Sequence, residues 1–290
     1  MNILVTGSNG QLGSELQDLS TSFLNFNFIF KDLPDLDICN YSEIENCITT
    51  NNINAVINCA AYTAVDRAEE DQQIAQKVNS DGVFNIVKAL SKVKGKLIHI
   101  STDYVFDGNG YLPYQEFDQV NPIGVYGNTK RSGELSVINS DIDAIIIRTS
   151  WLYSAYGNNF VKTMLRLGGE RDELGVIFDQ VGTPTNAADL AKVCLDIFSY
   201  NNESNISEKC QVYHFSNEGV ASWYDFAKAI MAIGGVKCKV KPIETKEYPT
   251  PAKRPHFSVL NKSKIKKDFE IKIPYWRDSL EECISKLNNK

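Results

Sequence analysis

No run of apolar residues in this chain approaches the roughly twenty needed to cross a bilayer. Even Ala144-Ile145-Ile146-Ile147 ends at once in Arg148. Dense basic clusters are missing too: 30 Lys and Arg stand against 36 Asp and Glu, a net charge of −6. Nucleic acid and membrane partners are therefore disfavoured. The cysteines, at 39, 47, 59, 194, 210, 238 and 283, include no Cys-x-x-Cys pair. That dispersal argues against a zinc site or a disulfide framework and for a reducing compartment. The opening Met-Asn-Ile-Leu-Val-Thr-Gly lacks the basic and apolar regions of a signal peptide, so a cytoplasmic location is expected. Repeats, low-complexity tracts and a clear linker are absent as well. What is present is 43% hydrophobic and 23% charged over 290 residues, the balance of one large or two modest globular domains.

The first half alternates between two signals. Short β-rich runs stand at Ile3–Thr6, Phe26–Lys31, Ala55–Cys59, Leu97–Ser101 and Ala144–Thr149, with helical patterns at Leu12–Leu19, Ser42–Thr50, Asp71–Val93 and Tyr126–Ile138. Continuous apolar strands separated by helices predict a parallel sheet covered on both faces, the doubly wound α/β architecture. Ligands of such sheets bind at the carboxyl ends of the strands. Beyond Trp151 the pattern loosens. It predicts helices at Phe160–Leu167, Asn186–Tyr200, Trp223–Ile233 and Trp276–Leu287, and strands at Val176–Phe178, Val212–Phe215 and Lys239–Ile243. Glu247–Pro255 reads as an irregular loop and Asn201–Lys209 as a surface loop. The expected division is a dinucleotide-binding domain over 1–155 and a smaller, mainly substrate-binding α/β region over 156–290, with some elements returning to the first.

Gly7-Ser8-Asn9-Gly10-Gln11-Leu12-Gly13 sits between the first strand and the first helix. Glycines there permit a sharp turn and let the backbone approach a pyrophosphate, which the free N–H groups of the helix start stabilise. The spacing is Gly-x-x-Gly-x-x-Gly, not the commoner Gly-x-Gly-x-x-Gly. Asp32, at the end of the second strand, could accept hydrogen bonds from an adenosine ribose and disfavour a 2′-phosphate. Its neighbour Lys31 could do the opposite, and a solvated Lys-Asp pair is a third reading. NADH against NADPH stays open.

Ser101-Thr102-Asp103-Tyr104 ends the fourth strand, and Tyr126-Gly127-Asn128-Thr129-Lys130 opens the next helix. A helix places Tyr126 and Lys130 on one face. A free phenol has a pKa near 10, and a nearby ammonium is expected to lower it. Such a tyrosine can protonate a substrate oxygen as hydride arrives. Thr102 could hold the same oxygen.

These features together resemble the extended short-chain dehydrogenase/reductases, and within them the dTDP-4-dehydrorhamnose reductase family. The resemblance runs through Asn58-Cys59-Ala60-Ala61-Tyr62-Thr63-Ala64-Val65-Asp66, Ser101-Thr102-Asp103-Tyr104-Val105-Phe106-Asp107-Gly108 and Val125-Tyr126-Gly127-Asn128-Thr129-Lys130. It continues through Arg148-Thr149-Ser150-Trp151-Leu152-Tyr153, Gly157-Asn158-Asn159-Phe160, Asp179-Gln180-Val181-Gly182-Thr183-Pro184-Thr185 and Arg254-Pro255. It implies a Rossmann-type fold and reduction of the 4-keto group of dTDP-4-dehydro-L-rhamnose by NADPH or NADH, in nucleotide-sugar and cell-surface polysaccharide biosynthesis. It also implies roles: Tyr126 as proton donor, Lys130 at the cofactor ribose, Thr102 on the carbonyl. Gly10, Gln11 and Leu12 would meet the pyrophosphate, Asp37 and Ile38 the adenine, and Ala61, Tyr62 and Thr63 the rest of the cofactor. Thr102, Asp103 and Trp151 would contact the sugar nucleotide.

Asn158 and Asn159 read equally as turn residues or as donors to a diphosphate. Arg254 reads as a phosphate ligand or as a solvated arginine. The acidic run Asp66-Arg67-Ala68-Glu69-Glu70-Asp71 is expected to favour a helix N-terminus rather than hold a metal. His99, His214 and His256 show no pairing pattern and read as structural. Some members of the family hold Mg²⁺ between subunits. Glu15 fits the first position of that set, but Ala188 stands at the second and the C-terminus offers no acid, so no metal is expected. Monomer and homodimer stay open. Two other readings share the cofactor site: a sugar-nucleotide epimerase or dehydratase, and a non-catalytic cofactor-binding regulatory subunit.

Overall fold

The computed structural model describes residues 1–200 and 209–289, so the loop expected at Asn201–Lys209 lies, up to 208, outside the described residues. The first half is built from β1 (Asn2–Thr6), α1 (Gln11–Ser20), β2 (Asn27–Lys31), α2 (Tyr41–Thr50) and β3 (Ala55–Asn58). Two short helices follow, α3 (Val65–Ala68) and α4 (Gln72–Gln76), then a π-helical turn (Lys77–Asp81) that runs into α5 (Gly82–Val93). β4 (Lys96–Thr102), α6 (Val125–Ile138) and β5 (Asp143–Thr149) complete this half. In the second half come β6 (Leu152–Tyr153), α7 (Phe160–Glu170), β7 (Glu173–Ile177), β8 (Val181–Gly182), β9 (Thr185–Asn186) and α8 (Ala187–Ser199). β10 (Cys210–His214), β11 (Ala221–Ser222), α9 (Trp223–Ile233), β12 (Lys239–Ile243), α10 (Ser263–Phe269) and α11 (Trp276–Asn288) close the chain.

The central sheet has the order β10-β5-β4-β3-β1-β2, and all its pairings are parallel. Strand alternation sends Ile3, Val5 and Ile57 into one layer with α1, α8 and α10. Leu4, Val56 and Leu97 go into the other with α2 and α5. This is the doubly wound sheet that the alternating pattern predicts. β2 lies on one side of β1 and β3 on the other, and that reversal opens a crevice at the strand ends. A third core joins α7, α9 and α11 through Val161, Phe226, Ile230 and Leu280.

Three differences from the sequence pattern have local causes. The helix expected over Asp71–Val93 is interrupted by the π-helical turn, whose extra residue no periodicity reveals. The strand expected at Val176–Phe178 lies at Glu173–Ile177, where it pairs in parallel with β12. Helix α10, not expected at all, is one short lysine-rich turn pair that is helical because Ile265 and Phe269 seal the sheet.

Candidate active site

A cleft of about 850 Å³ opens at the carboxyl ends of β1, β3, β4 and β5. The glycine turn forms one end. Gly7 has φ of +64°, and a Cβ there would lie 2.6 Å from the Ala60 backbone. A Cβ on Gly13 would lie 2.5 Å from the Gly7 carbonyl. Both positions need the bare backbone, which brings β1, the turn and α1 into close contact. No side chain caps α1, so its first N–H groups open onto the wall formed by Gly10, Gln11 and Leu12. A helix start left in this state suits an anion.

Along the same wall stand Asp32, Asp37, Ile38, Ala61, Tyr62 and Thr63. The Asp32 carboxylate accepts N–H bonds from Asn9 at 2.9 Å and Leu33 at 2.8 Å. Lys31 is not part of this wall. Tyr62 is clamped by Asn79, which the sequence did not single out. The Asn79 carbonyl accepts from Tyr62 N–H at 2.8 Å, and its amide donates to the Tyr62 carbonyl and to Thr129 Oγ1, each at 3.1 Å. Asn79 sits in the π-helical turn, and the widened turn aims it at α6.

At the other end of the cleft, Thr102, Asp103, Tyr126 and Lys130 come together with Trp151. Tyr126 lines the cleft together with Thr102, and burial pushes its phenol up to about 12. The lowering expected from Lys130 is not seen. The Lys130 ammonium donates instead to the Ile100 carbonyl at 2.7 Å, and burial brings it down to about 8. Asp103 is raised to about 6 by burial. Its Oδ1 accepts from Thr102 Oγ1 at 3.0 Å, while among the described residues the buried Oδ2 has no hydrogen-bond partner. Behind α6, Glu134 is fully buried and takes a two-pronged bond from Arg148, at 2.8 and 2.9 Å. Burial alone would raise its carboxyl, but the guanidinium holds it down at about 2.

Two expected substrate contacts are engaged elsewhere. Asn159 does not line the cleft. It caps α7 through Lys162 N–H at 3.1 Å and donates to Gln11 Oε1 at 2.9 Å, because a helix start needs an acceptor. Asn158, its neighbour, does line the cleft. Arg254 is half-buried and paired: it forks onto Asp66 at 3.0 and 2.7 Å. The acidic run does serve a helix N-terminus, though not its own, for Glu69 accepts from the first N–H of α6, Val125, at 2.9 Å.

A doubly wound parallel sheet, with its cleft at the strand reversal and a glycine turn at an uncapped helix start, is an architecture suited to binding a dinucleotide. The family model described as RmlD substrate binding domain matches residues 1–289. The dTDP-4-dehydrorhamnose reductase of Aggregatibacter actinomycetemcomitans is 41% identical, over 96% of each chain. The crystal structure of the Clostridium acetobutylicum reductase is 44% identical and covers 99% of this chain and 100% of that one, with a TM-score of 0.93. That of the Bacillus anthracis reductase in complex with NADP is 38% identical over 98% and 99%, with a TM-score of 0.92. The chain belongs to the dTDP-4-dehydrorhamnose reductase family.

Proposed function

We propose that this chain reduces the 4-keto group of dTDP-4-dehydro-L-rhamnose to dTDP-L-rhamnose with NADPH or NADH. The observation that carries the reading is that Thr102, Tyr126 and Lys130 line the same cleft as the glycine turn. A dinucleotide fits these residues, because the cradle at Gly7 and Gly13 has no room for a Cβ and the helix start beside it is uncapped. When bound, the reduced nicotinamide supplies the hydride to the sugar C4.

The remaining work falls to the protein. Thr102 orients the C4 oxygen by turning its hydroxyl proton from Asp103 to that oxygen. Tyr126 gives that oxygen its proton. A phenol held near 12 stays protonated at neutral pH and releases its proton only as the oxygen becomes strongly basic. Lys130 binds the cofactor ribose. Asp103, with one free oxygen, accepts from a sugar hydroxyl, and Trp151 walls the sugar. Arg254 serves the diphosphate by exchanging Asp66 for phosphate, and Asn159 acts through its hold on Gln11. In this reading residues 1–155 bind the cofactor and 156–290 mainly the substrate, apart from α8, β10 and α10, which pack with the first region.

Tyr126→Phe tests the proposal. It keeps the ring and removes the proton, so kcat/KM should fall by about 10²–10⁴-fold while NADPH affinity holds. Lys130→Met should be comparably damaging. Turnover near the wild-type level in Tyr126→Phe would mean that another residue supplies the proton.

A further inference from the structure

Trp151 has a backbone that bulky residues seldom adopt, with φ of +48°. Nothing in its own side chain favours that left-handed conformation. Its ring is held from outside. Trp223, the first residue of α9, lies parallel to it, with centroids 3.6 Å apart and planes 8° apart. Gly182 lies under the indole edge, where a Cβ would come 2.9 Å from Nε1 and 2.8 Å from Cε2. Trp151 lines the cleft and Trp223 does not. Trp223 is backed in turn by Phe160 at 4.7 Å and Phe226 at 6.4 Å, in the core that joins α7 to α9. An aromatic column thus runs from the C-terminal core to the wall of the cleft.

We infer that Trp223 is a positioning residue for sugar recognition: stacked on Trp151, it fixes the indole as the wall against which the sugar of the nucleotide is set. The inference rests on the sugar-nucleotide reading above and extends it to a residue outside the cleft. A ring held in one orientation before binding does not have to be ordered by the ligand, and the gain appears as affinity for the group it touches. The effect is confined to the sugar end, because the glycine turn and Asp32 lie on other elements.

The test is calorimetric titration of the wild type, Trp223→Ala and Trp223→Phe with dTDP, dTDP-L-rhamnose and NADPH. The exciton couplet that two parallel indoles give in far-ultraviolet circular dichroism serves as a monitor of the stack. The wild type is expected to bind dTDP-L-rhamnose more tightly than dTDP. Trp223→Ala should lose the couplet and weaken dTDP-L-rhamnose by about tenfold, the scale of one aromatic contact, with dTDP and NADPH unchanged. Trp223→Phe should restore most of the sugar increment, although it too lacks the couplet. A full sugar increment in Trp223→Ala would overturn the inference, as would equal weakening of all three ligands, the mark of general loosening. Thermal melts identify a variant that fails to fold, and Trp223→Leu then takes its place. Binding is read without turnover, so an inert wild type would count against the proposed reaction and leave this result to stand by itself.

Discussion

Asp32 is the residue on which cofactor choice turns. Sequence alone sets it against Lys31, but of the two Asp32 lines the cleft and Lys31 does not. Both backbone bonds to Asp32 fix its carboxylate beside the glycine turn, where its charge opposes a 2′-phosphate. Two acceptor oxygens retain lone pairs for a ribose, so both cofactors should turn over. Asp32→Ala should raise the ratio of NADPH to NADH kcat/KM by about tenfold, or roughly 1.4 kcal/mol. An unchanged ratio in paired steady-state assays would remove Asp32 from the ribose. Thr102, Asp103, Tyr126 and Lys130 were legible in the sequence because their spacing on one strand end and one helix is itself the signal. Asn79 and Trp223 were not, since each acts on a partner brought near only by the fold. The pairing of Arg254 was hidden for the same reason, because Asp66 is distant in sequence and adjacent in space.

Among the elements, α6 carries the proposed chemistry, and the Glu134–Arg148 pair ties it to β5. The Glu134 carboxyl lies at about 2 in the folded chain, against an ordinary value of 4.5. A depressed acid of this kind stabilises the fold above pH 4.5, and the contribution, about 3 kcal/mol, drains away as pH falls towards 2. Glu134→Gln leaves the Arg148 guanidinium buried without its counter-charge. Urea unfolding at pH 7 should show a loss of about 3–5 kcal/mol, with a weaker dependence on pH across the acid range. A loss below about 1 kcal/mol would show that the pair contributes little beyond packing. The strands and long helices of this half were legible because apolar runs and helical periods report burial directly. The π-helical turn and the two-residue strands β6, β8, β9 and β11 were not, for they exist only through tertiary pairing.

Across the whole molecule, α11 is latched to α1. Lys286 donates to Glu15 at 2.6 Å and to Asp18 at 2.7 Å, and Ser154 Oγ donates to Glu15 at 2.6 Å. Although burial opposes it, these carboxylates hold the Lys286 ammonium up at about 12. The charge that a metal would neutralise is thus met by a side chain of the same chain. Chelation should therefore leave turnover and Tm unchanged, as activity assays and thermal melts would record; a loss restored by Mg²⁺ would contradict this. The reaction itself is tested most directly by incubating the wild type with NADPH and dTDP-4-dehydro-L-rhamnose, formed in situ, and following cofactor oxidation and the sugar product by NMR. One NADPH should be consumed for each dTDP-L-rhamnose formed. Conversion of the sugar without net NADPH consumption, or cofactor binding with no turnover at all, would contradict the assignment of this chain as a 4-keto sugar reductase.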